Sequence, residues 1–353
     1  MPKKISVLVV DDSAVVRQVL CKIINAHPRL EVAGAAANPY IARGKIKQLN
    51  PDVLTLDIEM PRMDGHQFLK NLMRLHPMPV IMISSLTGKG TEATLQALEL
   101  GAIDFLRKPS ADVTDGLNAF ADEVCKKIIF AAEIDKELLR AKASLNPTLK
   151  TRTPTTDFRK TNQVLAIGAS TGGTIALQNL MSHLPHDAPG TVIVQHIPGS
   201  FSGPFAKRLH QHSSMQIKEA QDGEQVLQGH AYVAPGTRHL SVYRDGAFYR
   251  CGLSDAAPVN RHRPSVDVLF QSVAECAPNN SMGVILTGMG DDGAEGMLRI
   301  KKTGSPTIAQ DKASSVVWGM PGSAVALNAV DDVLPLSDIA SHICQHFSLT
   351  RVA

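Results

Sequence analysis

Short apolar runs that end on a polar residue or a glycine alternate with amphipathic stretches of helical length, and the scheme occurs twice along the chain. In the first half the runs are ISVLVV, VLTLDI, PVIMIS and IDFLRKP, with AVVRQVLCKIINA, HQFLKNLMRL and TEATLQALELG between them. Strands separated by segments of helical length pair parallel, and helices cover both faces of the sheet. The second half repeats the pattern with VLAIGAS, TVIVQH, HAYVAPG, HLSVYRDGAFYRC, MGVILTGMG and PTIAQD. Between the halves, EIDKELLRAKASLNPTLKTRTPTTDFRKTN begins helical and then becomes rich in Lys, Arg, Thr and Pro without apolar periodicity, as linkers do. The expected organisation is α/β throughout: a doubly wound parallel sheet over 1–130, a linker over 131–160, and a second α/β domain with a mainly parallel sheet over 161–353.

A chain of 353 residues, 44% apolar and 20% charged, is long enough to bury two such cores. No stretch reaches the roughly 18 to 20 consecutive apolar residues of a membrane span, so no membrane insertion is expected. The start, MPKKISVLVVDDS, lacks the long apolar core and cleavage site of a signal peptide, and the expected location is the cytoplasm. The cysteines at 21, 125, 251, 276 and 344 are odd in number and show no Cys-x-x-Cys spacing, which fits reduced thiols and no zinc site. Residues 1–130 carry 16 basic and 14 acidic groups, 131–160 carry 7 and 4, and 161–353 carry 13 and 15. A nucleic-acid-binding second half would concentrate basic charge on itself, and this one does not.

In open α/β sheets, ligands gather where strands end at their carboxyl edge. In the first half those positions hold Asp11 and Asp12, Asp57, Ser84, and Lys108-Pro109. Any one acid could cap a helix or sit in a loop. Three converging carboxylates repel one another unless a cation lies among them, and hard oxygen ligands suit Mg²⁺. Beside Mg²⁺, a lysine and a hydroxyl, a carboxylate can accept a phosphoryl group, because the cations neutralise the transferring oxygens. With VVDDS, TLDIEMPRMDG, the Ser84-Ser85 pair and RKP, residues 4 to 125 resemble the receiver domain of two-component response regulators, a flavodoxin-like fold. The resemblance implies Asp57 as phospho-acceptor, Asp11, Asp12 and the Glu59 backbone as Mg²⁺ ligands with Asp57, Ser84 as phosphate-contacting hydroxyl and Lys108 as counter-ion. Phe105 stands where the family has its aromatic switch residue, often Tyr, so no hydroxyl contact is available there.

In the second half the strand ends hold Ser170, Gln195-His196, and Asp291-Asp292. A serine hydroxyl needs a base, and the base needs an acid to fix its tautomer. Residues 168–172, GASTG, also match the short G-x-S-x-G pattern, but in α/β-hydrolases the acid precedes the histidine, which would move the base to His342 or His346 in the amphipathic SDIASHICQHF. A dinucleotide loop would need glycine at 170 and an acid after the next strand, where this chain has Ser170 and Gln195-His196. The 13 histidines leave a structural role open for His196, and Asp292 could cap the helix beginning at AEGMLRIKK. The pattern does not separate Asp291 from Asp292. Glycines around Met289 point to a tight loop whose N–H groups could face an oxyanion.

GASTGG, QHIP, YVAPG with His239-Leu240, HRPSVDVLF, LTGMGDDGAEG and AQDKASSVVWGMP resemble the catalytic domain of the CheB-type chemotaxis methylesterases, from about residue 161 to near the end. The resemblance implies Ser170 as nucleophile, His196 as general base, Asp292 as orienting carboxylate and the Met289 amide as oxyanion donor. It implies hydrolysis of glutamyl methyl esters on chemoreceptor helices, with glutamine deamidation in many members, and no cofactor for hydrolysis. The implied partners are a chemotaxis histidine kinase as phosphodonor and methyl-accepting chemoreceptors as substrate, with phosphorylation of Asp57 relieving a block by the receiver. The competing expectation is a response regulator whose second half only binds DNA or a partner protein. Its near-neutral charge and the lack of a helix-turn-helix pattern disfavour DNA.

Overall fold

The structure is a computed structural model that describes residues 3–60, 65–84, 88–108, 114–134 and 162–349. The chain divides into two compact units, Met1–Pro147 and Thr148–Ala353.

The first unit is a parallel sheet in the order β2-β1-β3-β4-β5, from β1 (Ile5–Val10), β2 (Leu30–Ala36), β3 (Val53–Asp57), β4 (Val80–Ser84) and β5 (Asp104–Arg107). Val7 to Val10, Val53, Leu54, Leu56 and Val80 to Ile83 are fully buried, as strands covered on both faces must be. The order reverses between β1 and β3, and a crevice opens at their carboxyl ends. Helices α1 (Ala14–Ala26), α2 (Pro39–Leu49), α3 (Gly65–Leu75), α4 (Gly88–Glu99) and α5 (Thr114–Ala132) connect and follow the strands. Ser13, not Asp11 or Asp12, caps α1, its Oγ accepting from the Val16 N–H. Both acids are therefore free of that structural duty. The edge strand β2, LEVAGAA, is poor in β-branched residues and does not stand out in the sequence. Helix α5 continues to Ala132, and most of the 131–160 stretch lies outside the described residues.

The second unit carries a seven-stranded parallel sheet in the order β14-β13-β12-β6-β7-β9-β8. Its strands are β6 (Val164–Ala169), β7 (Gly190–Gln195), β8 (Gln216–Glu219), β9 (His230–Val233), β12 (Ser281–Ile285), β13 (Thr307–Gln310) and β14 (Asp332–Leu334). HLSVYRDGAFYRC folds as a separate antiparallel hairpin, β10 (His239–Asp245) and β11 (Phe248–Ser254). The helices are α6 (Gly173–His183), α7 (Gly199–Gln211), α8 (Val266–Cys276), α9 (Ala294–Lys302), α10 (Met320–Ala326) and α11 (Leu336–His346). Val164, Ala166, Val192, Val194, Val266, Phe270, Ile285 and Met297 form part of one core, in which each large side chain contributes about 1.5–3 kcal/mol. Strand order reverses around β6, with β7 on one side and β12 on the other. The short edge strands β8 (QIKE) and β14 (DVL) escape a reading based on apolar runs.

Candidate active and phosphorylation sites

At the crevice of the first unit, Asp57 is the last residue of β3 and is buried, Asp11 follows β1 and is buried, and Asp12 beside it is exposed. Carboxylate oxygens of Asp11, Asp12 and Asp57 lie within 4.8 Å of one another. Arg17 Nη1 fixes the Asp11-Asp12 turn by donating to both carbonyl oxygens, at 2.8 and 2.9 Å. Lys108, placed after β5, reaches Asp57 Oδ2 at 2.8 Å and Asp11 Oδ2 at 3.3 Å. Burial pushes the Asp57 carboxyl up to about 6, with Asp11 repelling it further and the Lys108 contacts offsetting part of the rise. Burial likewise raises Asp11. Beyond the 3.3 Å ion pair with Lys108, Asp11 Oδ2 has no hydrogen-bond donor among the described residues, so one lysine is shared by two buried acids and a hard oxygen set is left short of positive charge. That donor set fits a small divalent cation.

The other expected positions lie nearby on the same strand ends. The Glu59 N–H donates to Asp57 Oδ1 at 3.2 Å. Ser84 ends β4, where its Oγ accepts from Thr94 Oγ1 at 2.7 Å. Phe105 is buried on β5, with Lys127 Nζ 5.4 Å from its ring centroid. Ser85 and Pro109 lie outside the described residues.

In the second unit the three expected groups converge where the sheet reverses. Ala169 is in register with Gln195, and the His196 N–H donates to the Ala169 carbonyl at 3.1 Å. Ser170 and His196 thus leave neighbouring strands side by side, about 4.8 Å apart. Ser170 sits at the half-buried turn into α6; its N–H donates to the Thr287 carbonyl at 3.0 Å and its carbonyl accepts from Gln195 Nε2 at 2.8 Å. The turn continues through Gly172 at φ 78°, the left-handed region where only glycine is at ease. A Cβ at Gly288 would stand 2.8 Å from Ser170 Cβ, so glycine there lets the loop after β12 approach the serine. That loop presents Met289, whose backbone N–H has no acceptor among the described residues. Thr287 braces both segments, its Oγ1 donating to the Thr171 carbonyl at 3.0 Å and accepting from the Val317 N–H at 2.9 Å.

The loop also distinguishes the two acids. Asp291 is exposed, whereas Asp292 is buried and meets His196 Nε2 at 2.9 Å through Oδ2. Asp292 does not cap the helix that follows it, since Gly293 occupies that position. Instead its carboxylate sits on the N-terminus of α8, accepting from the Val266 N–H and Ser265 Oγ at 2.7 Å each, and from Asn260 Nδ2 at 2.9 Å. Burial alone would raise the Asp292 carboxyl, but His196, Asn260 and Ser265 together hold it down to about 2. With Nε2 committed to Asp292, His196 Nδ1 is the remaining nitrogen, buried and without a hydrogen-bond partner among the described residues. It is the imidazole nitrogen left able to act as a base. His342 and His346 lie on α11, where His342 Nε2 is 3.5 Å from Asp332, and they take no part in this cluster.

Two further residues, Asn260 and His262, stand at no strand end and so carry no sequence signal of that kind. The His262 ring stacks on His196, with centroids 3.9 Å apart and planes 7° from parallel. Burial, and then the neighbouring His196, push His262 down to about 4. Between about pH 4 and the unfolded value of about 6.5, the unfolded chain binds a proton at His262 that the folded chain does not. Stability of the second unit therefore falls as pH is lowered through that window. Thermal unfolding followed from pH 7 to 4.5 checks this: the midpoint should fall more steeply for the wild type than for His262→Phe, and equal slopes would contradict it.

Residues 165–343 match the family model described as CheB methylesterase, and residues 7–118 match the response regulator receiver domain. Over 344 residues the chain is 54% identical to the protein-glutamate methylesterase/protein-glutamine glutaminase 1 of Xanthomonas campestris pv. campestris, covering 96% of both chains. It is 52% identical over 343 residues to the protein of that name, without the number, from Nitrosomonas europaea, covering 97% of this chain and 96% of that one. The crystal structure of the Thermotoga maritima CheB methylesterase catalytic domain is 37% identical, with a TM-score of 0.51, and covers 52% of this chain and 98% of its own. A match over this length, through both units, makes the chain a member of the CheB methylesterase family with a receiver domain in front of its methylesterase domain.

Proposed function

We propose that this protein is a phosphorylation-activated serine hydrolase that demethylates glutamyl methyl esters, and deamidates particular glutamines, on the helices of methyl-accepting chemoreceptors. The observation that carries this reading is the pairing of a buried, ionised Asp292 with His196 Nε2, on the strand beside Ser170. Ser170 Oγ attacks the ester carbonyl while His196 Nδ1 takes its proton, and Asp292 stabilises the imidazolium. The Met289 N–H receives the developing oxyanion. His196 then protonates the departing methanol, or ammonia from a glutamine, and water releases the glutamate by the same route in reverse. Apart from that water, every group that acts in these steps is a side chain or amide of the chain itself.

In the receiver domain, Asp57 is the phosphoryl acceptor, and a chemotaxis histidine kinase is the donor. Asp11, Asp12, Asp57 and the Glu59 carbonyl would hold Mg²⁺, which supplies charge neutralisation for the transferring phosphoryl oxygens when bound. Lys108 pairs with the phosphorylated side chain, Ser84 contacts its oxygens, and Phe105 reports the change of state. The domain layout is a receiver over 1–130, a linker over 131–160 and the catalytic domain over 161–353. The unphosphorylated receiver holds hydrolysis down, and phosphorylation relieves it. A phosphodonor assay with labelled acetyl phosphate tests the acceptor: the wild type should take label at one aspartyl residue and Asp57→Asn should take none. Label retained by Asp57→Asn would contradict the assignment.

A further inference from the structure

The turn Val259–His262 is fastened to the catalytic acid at one point and lies against the catalytic histidine at another. His262 N donates to the Val259 carbonyl at 2.8 Å and Val259 N to the His262 carbonyl at 3.1 Å, closing a two-residue turn. Its central residues, Asn260 and Arg261, have φ of 50° and 67°, the pair of left-handed conformations that a type I′ turn needs. Asn260 Nδ2 bridges Asp292 Oδ1 at 2.9 Å and Asp267 Oδ2 at 2.6 Å, so the turn is anchored to the N-termini of α8 and α9. The ring of His262 then lies flat on His196 at 3.9 Å. Among the described residues, the His196 imidazole is held by a hydrogen bond at Nε2 alone, about which it can still rotate.

We propose that His262 is a positioning residue for the hydrolase: its ring, fixed by the Asn260 anchor, holds the His196 imidazole with Nε2 on Asp292 and Nδ1 turned toward Ser170. The proposal rests on the reading of Ser170, His196 and Asp292 as the catalytic groups. The charged and titratable groups facing His262 are His196 from the end of β7, Asp291 and Asp292 from the loop after β12, and Arg261 from its own turn. Burial and the adjacent His196 keep His262 neutral at working pH, so the proton taken from Ser170 resides on His196 alone. A neutral π face then lies against the imidazolium, an attractive arrangement for a cation. The stacked ring requires no nitrogen of its own for this role, and a phenyl ring should perform it.

The test uses the full chain, methylated chemoreceptor as substrate and methanol release as the rate. His262→Ala should lower kcat by about 10- to 100-fold while KM stays within about twofold, the signature of misplaced groups rather than lost binding. His262→Phe should recover most of that loss. In ¹⁵N NMR of histidine-labelled protein, His196 should be the Nε2–H tautomer in the wild type and in His262→Phe, and a mixture of tautomers in His262→Ala. Wild-type kcat and tautomer in His262→Ala would overturn the proposal. So would damage in His262→Phe equal to that in His262→Ala, which would assign the role to a nitrogen. If the wild type released no more methanol than Ser170→Ala, the hydrolase reading itself would fail, and the NMR arm would still decide whether His262 orients His196.

Discussion

Ser170→Ala should abolish methanol release from methylated receptor, by about 10⁴-fold or more, while Asp57 still accepts a phosphoryl group. The size follows from the division of labour in the site: without Oγ the His196–Asp292 pair has no proton to move and no acyl-enzyme forms. The substitution leaves the local fold intact. Ser170 holds its place through its backbone, the N–H to the Thr287 carbonyl and the carbonyl to Gln195 Nε2, and alanine keeps both bonds. Binding of the receptor should therefore survive. Methanol release measured beside phosphorylation of the same preparation separates loss of the nucleophile from loss of fold, and a rate within tenfold of wild type would remove Ser170 from the chemistry.

The second large effect belongs to Asp292→Asn, which should lower the rate by about 10⁴-fold. An amide in place of the carboxylate no longer requires a proton on His196 Nε2, and an amide NH₂ facing that nitrogen moves the proton to Nδ1. Nδ1, the nitrogen proposed to take the Ser170 proton, is then an N–H and cannot act as a base. Stability should fall as well, by about 1–3 kcal/mol, because Asn260, Ser265 and the Val266 N–H lose a charged acceptor at the start of α8. The stability term has a defined pH dependence. Held down to about 2, Asp292 contributes stability that is complete above its unfolded value near 4 and disappears as pH falls through 2. The exposed Asp291 serves as the control, and Asp291→Asn should leave the rate within about twofold. Equal losses from the two substitutions would contradict the assignment of Asp292.

Much of this could be read from the sequence because parallel α/β sheets write their architecture in apolar runs and place their polar groups at strand ends. Asp57, Ser84, Ser170 and His196 are all found by that rule. The choice between Asp291 and Asp292 is not legible from the residues alone, since adjacent acids look alike until one is buried on the N-terminus of a helix from elsewhere in the chain. The family resemblance implies Asp292, and of the two acids Asp292 is the buried one and Asp291 the exposed one. Asn260 and His262 were missed because they work through a turn that ends no strand, although HRPSVDVLF begins at His262 and Asn260 precedes it by two residues. Left-handed φ at Asn260 and Arg261 was the one local feature available, and neither residue announces it without a neighbouring glycine. Strands β2, β8 and β14 escape for a different reason: β2 is rich in Ala and Gly rather than β-branched residues, and the edge strands β8 and β14, at 4 and 3 residues, are too short to show an apolar run.

Coupling between the proposed phosphorylation of Asp57 in one unit and ester hydrolysis in the other can be measured directly. Methanol release from methylated chemoreceptor should be compared for wild type and Asp57→Asn, each with and without a small-molecule phosphodonor. The account predicts a wild-type rate that rises severalfold or more with the phosphodonor and an Asp57→Asn rate that stays at the basal level in both conditions. A wild-type rate indifferent to the phosphodonor, or equal stimulation of Asp57→Asn, would contradict it.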